Sequence, residues 1–78
     1  MDHNKFIAIT PYIVTELVNM ISDKQGISED DAILKLYSSK LYSLLEQEET
    51  KLWQYSTPML YDLYMQEQTT GKINFPDV

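Results

Sequence analysis

The chain contains no cysteine and no arginine, only two glycines, and a single histidine and tryptophan. Without cysteine there is neither a disulfide framework nor a thiolate metal site. Without arginine the chain lacks the side chain best shaped to grip phosphate or guanine through paired hydrogen bonds. All six cations are lysines, at positions 5, 24, 35, 40, 51 and 72, and they stand against twelve acids for a net charge of −6. Phosphate binding on such a domain would need a local lysine cluster, and these lysines are scattered. Direct nucleic-acid binding and attraction to anionic membranes are both disfavoured. Gly26 and Gly71 are isolated from each other, so no glycine-rich phosphate loop is present. No apolar run reaches the length needed to cross a bilayer. The opening "MDHNKFIAIT" lacks the apolar length and cleavage site of a secretory signal, so a cytoplasmic protein is expected. His3 has no Ser, Cys or Asp partner at a useful spacing and lies in a segment expected to fray, which leaves nucleophilic catalysis unsupported.

What is present is globular. Hydrophobic residues at 44% and charged residues at 23% argue against intrinsic disorder. At 78 residues the chain has room for one domain. A unit of this size buries only ~60–65% of the surface its unfolded chain exposes. With no covalent staple it must rely on helix packing or on surface buried against a second chain. The expectation is a single helical domain over 1–78, with an N-terminal arm at 1–9 and a C-terminal tail at 72–78.

Capping signals divide the sequence. Thr10 before Pro11 suits an N-cap followed by a first-turn proline, with Ile9 placed to staple against Val14. Ile13, Val14, Leu17, Val18 and Ile21 continue at helical spacing up to Gly26, a natural C-terminal stop. The preceding "FIAI" reads as helix or coil, since no second strand is available to pair with it. In "ISEDDA", Ser28 is the N-cap and Asp31 stands three residues on, while Glu29, Asp30 and Asp31 favour the positive end of the helix dipole. The same three acids lack the alternating ligands and internal glycine of a calcium loop, so capping rather than metal binding is expected. Ile33, Leu36, Tyr37, Leu41, Leu44 and Leu45 form a wide apolar stripe that Lys40 interrupts. Either the lysine stem snorkels to water, or the helix breaks and restarts at Ser38–Ser39, which is the favoured reading.

Glu46, Glu48 and Glu49 in "EQEETK" sit badly at a helix C-terminus and predict a turn. A carboxylate pair there would support catalysis only if it lined a cleft with Trp53. Trp53 itself is expected in the core. In "YSTPM", Ser56 or Thr57 caps the last helix, Pro58 enters its first turn, and Tyr55 can staple against Leu60. That helix should run to about Thr70 and stop at Gly71, leaving Ile73 and Phe75 in a tail that folds back or stays free.

The final helix carries a surplus. Of residues 59–65 only Asp62 is polar, and the apolar arc reaches roughly twice the ~100° that one core face requires. Met59, Leu60 and Leu63 account for one face; Tyr61, Tyr64 and Met65 extend it. Either neighbouring helices cover the strip on two sides, or Tyr61, Tyr64 and Met65, with Tyr55 at the rim, form a partner-binding surface. A helix-turn-helix unit around Gly26 or Ser38–Ser39 is the alternative, as a DNA-binding regulator. Its helix after Gly26 would open with three acids facing phosphate.

The stretch from Tyr37 to Lys72 resembles a family of small, all-helical bacterial proteins of uncharacterised function. The resemblance rests on Ser39-Lys40-Leu41-Tyr42, Leu45-Glu46 and the Glu48-Glu49-Thr50-Lys51-Leu52-Trp53 core. Ser56, Leu60-Tyr61-Asp62, Glu67 and Thr70-Gly71 complete it, and it covers roughly 27–72. It implies a short cytoplasmic protein that partners another small protein, as in toxin–antitoxin-like pairs. The sequence thus predicts an all-α bundle of three to five short helices. It predicts a non-enzymatic module, without cofactor or metal, that binds itself or a cognate protein.

Overall fold

One long helix sets the length of the molecule. In the computed structural model, which describes residues 2–73, α1 runs from Asp2 to Gln25. Its 24 residues span about 36 Å, matching the 37 Å long axis. Three further helices follow: α2 (Glu29–Tyr37), α3 (Lys40–Leu45) and α4 (Thr57–Thr70). Two single-turn 3-10 helices, Glu48–Thr50 and Leu52–Gln54, link α3 to α4. No strand occurs among the described residues. The chain is a small all-α fold in which α1 packs against α2, α4 and the second 3-10 turn, while α4 also packs against α3.

The start of α1 departs from expectation. Thr10 does not cap a helix and Pro11 lies well inside one, while the segment before them, read as helix or coil, is helical from Asp2 onward. An internal proline costs about 3 kcal/mol, since it removes an amide donor and crowds the preceding turn. Two long-range contacts offset part of that cost. Phe6 packs edge-on against Trp53 with ring centroids 5.9 Å apart, and His3 Nδ1 lies 2.7 Å from Glu48 Oε1. His3 thus has a partner that local spacing did not show. Thr15 Oγ1 donates to the Pro11 carbonyl at 3.0 Å, whereas the buried Thr10 hydroxyl has no hydrogen-bond partner among the described residues.

Elsewhere the local signals hold. Gly26 closes α1 at φ 65°, with the Ile27 amide donating to the Ser22 carbonyl at 3.1 Å as a Schellman end requires. The Asp31 amide donates to Ser28 Oγ at 3.1 Å and starts α2. The break at Ser38–Ser39 is real, and one buried hydroxyl serves both of its sides. Ser39 Oγ donates to the Leu36 carbonyl at 2.5 Å and accepts from the Tyr42 amide at 3.1 Å. The acidic segment is a turn in which Lys51 takes the left-handed conformation at φ 59°. Trp53 is buried there, and its indole N–H donates to the Glu48 carbonyl at 3.0 Å. Ser56, not Thr57, caps α4 by accepting from the Met59 amide at 3.3 Å, and Gly71 ends the helix at φ 78°.

The core takes Ile13, Leu17 and Ile21 from α1, Leu36 from α2, Leu41 and Leu45 from α3, and Leu60 and Leu63 from α4. Ile33 and Tyr37, expected in this stripe, are 37% and 51% exposed. The break after Tyr37 explains the difference, because α2 and α3 no longer share one helical face and α2 buries only Ala32 and Leu36. Ile73 packs partly buried against the core; Phe75 lies outside the described residues.

Candidate interaction surface

Tyr61, Tyr64 and Met65 share one side of α4, with Tyr55 in the turn before it, and the chain covers much of that side itself. Tyr64 is fully buried and belongs to the core, which corrects its placement on a docking strip. Tyr55, Tyr61 and Met65 are half-buried against the same core. The cause is that α4 is flanked by α1 and α3, so its wide apolar arc meets two neighbours. The last turn of α1 closes over it: Lys24 Nζ sits 5.7 Å from the Tyr61 ring centroid, and Gln25 Nε2 reaches the Met65 sulfur at 3.6 Å. The Tyr61 and Tyr64 rings lie 6.2 Å apart. Burial pushes the Tyr64 hydroxyl above its ordinary pKa.

A second, more exposed apolar surface lies between α1 and the α2–α3 hairpin. Ile7, Val14 and Val18 follow one line along α1 at intervals of seven and four residues. The hairpin formed by α2 and α3 runs back beside them, bringing Ile33, Tyr37 and Tyr42 to the other wall. Two depressions of about 520 Å³ and 220 Å³ result, and they share Val14, Thr15 and Tyr37, so they form one groove. Ile7 is 55% exposed at its outer end. The Tyr37 and Tyr42 rings stack with centroids 4.3 Å apart and planes 17° from parallel, making a flat aromatic wall. Partial burial, the Glu46 carboxylate and the neighbouring Tyr37 push the Tyr42 hydroxyl up to about 12. Glu46 lines the end near Phe6, and Glu29 the end near Val18. Sequence periodicity marked every one of these apolar residues except Ile7 and Tyr42 as a core position. Val18 is indeed buried and Val14 half-buried against the core; only the pairing of α1 with α2 and α3 shows that Ile7, Ile33 and Tyr37 stand at an exposed edge beside them.

Two other depressions carry less. A polar one of about 700 Å³ lies between α1 and the start of α4, where Thr57 Oγ1 and Glu16 Oε1 are 2.7 Å apart. A shallow one of about 210 Å³ is lined by Glu48, Glu49, Lys51 and Trp53. Glu46 faces the apolar groove instead, so the three acids do not converge on the tryptophan. The six-residue α3 rises only about 9 Å, and with Leu41 and Leu45 buried it offers Lys40 and Ser43 as its exposed side chains. That is a short row of donors for a recognition helix. No helix among the described residues is long and apolar enough to cross a membrane.

One residue invisible to local spacing organises this side of the bundle. Glu67 of α4 accepts from the Lys40 amide at 2.7 Å and from the Leu41 amide at 3.0 Å, capping α3 from 27 residues away. The chain has no significant match among protein-family models, curated proteins or solved structures.

Proposed function

We propose that this protein is a non-enzymatic interaction module that binds another protein through the groove between α1 and the α2–α3 hairpin. The supporting observation is the continuity of that groove, in which Ile7, Ile33 and Tyr37 keep large apolar area in water. Exposed contiguous apolar surface on a small domain marks an interaction site. The stacked tyrosines supply the rigid aromatic area that interfaces favour. The resemblance to small bacterial proteins of uncharacterised function, which often look like partners of another small protein, agrees with this reading, and an antitoxin-like role in a cytoplasmic pair belongs to this proposal.

Light scattering of the purified chain, alone and co-expressed with the products of neighbouring genes, measures association directly. The wild type should appear in a complex whose mass exceeds that of one chain. The Ile7→Ser, Tyr37→Ser double variant should lose that complex while keeping its helical circular dichroism. A wild type that remains a lone monomer under every co-expression, or a complex the double variant leaves intact, rejects the groove as the interface.

A further inference from the structure

The groove's charge and length narrow the kind of partner. Each end carries a carboxylate, Glu46 by Phe6 and Glu29 by Val18, and none of the six lysines is among the lining residues. From Ile7 to Val18 the α1 wall is eleven residues long, or about 17 Å. Between the carboxylates the walls are mostly aliphatic and aromatic, with Thr10, Thr15 and Asn19 as the polar interruptions. A trough of this kind between two helices accepts a third helix by ridge-into-groove packing. We propose that its occupant is a cationic amphipathic helix of a partner protein, about three turns long. Such a helix lays an apolar stripe against Val14, Ile33, Tyr37 and Tyr42, and its lysines or arginines, about eleven residues apart, meet Glu46 and Glu29.

A second copy of this chain fits less well. Each copy carries a net charge of −6, so approach is repulsive at low salt. Docking of α1 into a second groove would also bring two acidic chains together along their whole length. A cationic helix instead gains on-rate from the same field.

This inference rests on the groove being the interface, and the test separates the two. The probe is a synthetic 16-residue leucine–alanine helix with two lysines eleven positions apart; its glutamate counterpart is the control. Amide NMR shifts of the labelled wild-type chain locate the binding without any substitution. Shifts on adding the lysine peptide should centre on Ile7, Val14, Ile33 and Tyr37. Titration should then show Glu29→Gln, Glu46→Gln weakening the lysine peptide about fivefold. Matched neutralisation at the exposed Asp23 and Asp62 should change it less than about twofold. Ile7→Ser, Tyr37→Ser should weaken it at least about tenfold. Shifts centred on Tyr61 and Met65, equal effects from both pairs of neutralised acids, or equal binding of the glutamate peptide overturn the cationic helix. If light scattering meanwhile shows a complex sensitive to Ile7→Ser, Tyr37→Ser, the interaction reading survives that loss; if it does not, both fall.

Discussion

Tyr64 shows how one side chain can satisfy packing and frustrate its own polar end. It is the largest fully buried residue, yet its hydroxyl makes no well-formed hydrogen bond among the described residues; the Gln25 side chain is the polar group within its reach. An unmet buried hydroxyl costs about 1–3 kcal/mol, whereas the ring contributes apolar area. Tyr64→Phe should therefore leave stability unchanged or raise it by about 1 kcal/mol, and Tyr64→Ala should lower it by about 3–5 kcal/mol. Urea unfolding of both variants checks this; a loss above about 1 kcal/mol for Tyr64→Phe would show that the hydroxyl is bonded. Tyr42 makes a different prediction, because its pKa is raised from 10.0 to about 12. Below pH ~10 the hydroxyl is protonated in both folded and unfolded chains, so its contribution is complete. As pH rises from about 10 to about 12 the unfolded chain ionises first, and stability falls. Unfolding midpoints measured across that window should drop for the wild type and drop less for Tyr42→Phe.

Among the elements, those whose ends are set by neighbours in sequence were legible, and those set by distant contacts were not. Ser28, Ser56, Gly26 and Gly71 act within one turn of themselves, so their residue types alone locate the helix ends. The start of α1 depends on Phe6 meeting Trp53 and His3 meeting Glu48, partners 47 and 45 residues away in the chain. Against those contacts the Thr10–Pro11 signal is a weak local preference, and tertiary packing overrode it. The candidate site failed to show for the same reason. The arc on α4 is wide, as its residues show, but α1 and α3 cover all of it except Met59, and the larger uncovered apolar surface lies on α1 and α2. Glu67 is the sharpest case, since its carboxylate serves amides on another helix. Replacing Glu67 with Ala should cost about 1–2 kcal/mol, the value of charge-assisted caps at two amides. Loss of Lys40 and Leu41 amide protection from hydrogen exchange, ahead of α1 and α2, would confirm where that cost falls.

At the scale of the whole molecule, two apolar regions have opposite fates. The α4 side is closed by Lys24 and Gln25, while the groove keeps Ile7 and Tyr37 more than half exposed. The contrast is measurable in stability alone. Tyr61→Ser, Met65→Ser should lower it by about 2–3 kcal/mol, since both side chains bury area against the core. Ile7→Ser, Tyr37→Ser should change it by less than about 1 kcal/mol, as expected of surface positions. Equal losses from the two pairs would mean that the groove residues also stabilise the isolated chain. With a net charge of −6 and no disulfide, the molecule has little stability in reserve, so a domain that leaves such side chains in water gives up burial it could use.

The cap that Glu67 places on α3 also bears on the order in which the molecule assembles. A six-residue helix is far below the length that persists alone in water, and its leading amides wait for a carboxylate on α4. The turn joining α1 to α2 has no such dependence, because Gly26 and Ser28 close it locally. On the folding pathway α3 should therefore close last, after α4 has docked. Leu41→Ala should accelerate unfolding with little change in the folding rate, while Leu17→Ala should slow folding. The short helix acts as a latch, and the tyrosine wall it completes at Tyr42 exists only once the latch is shut.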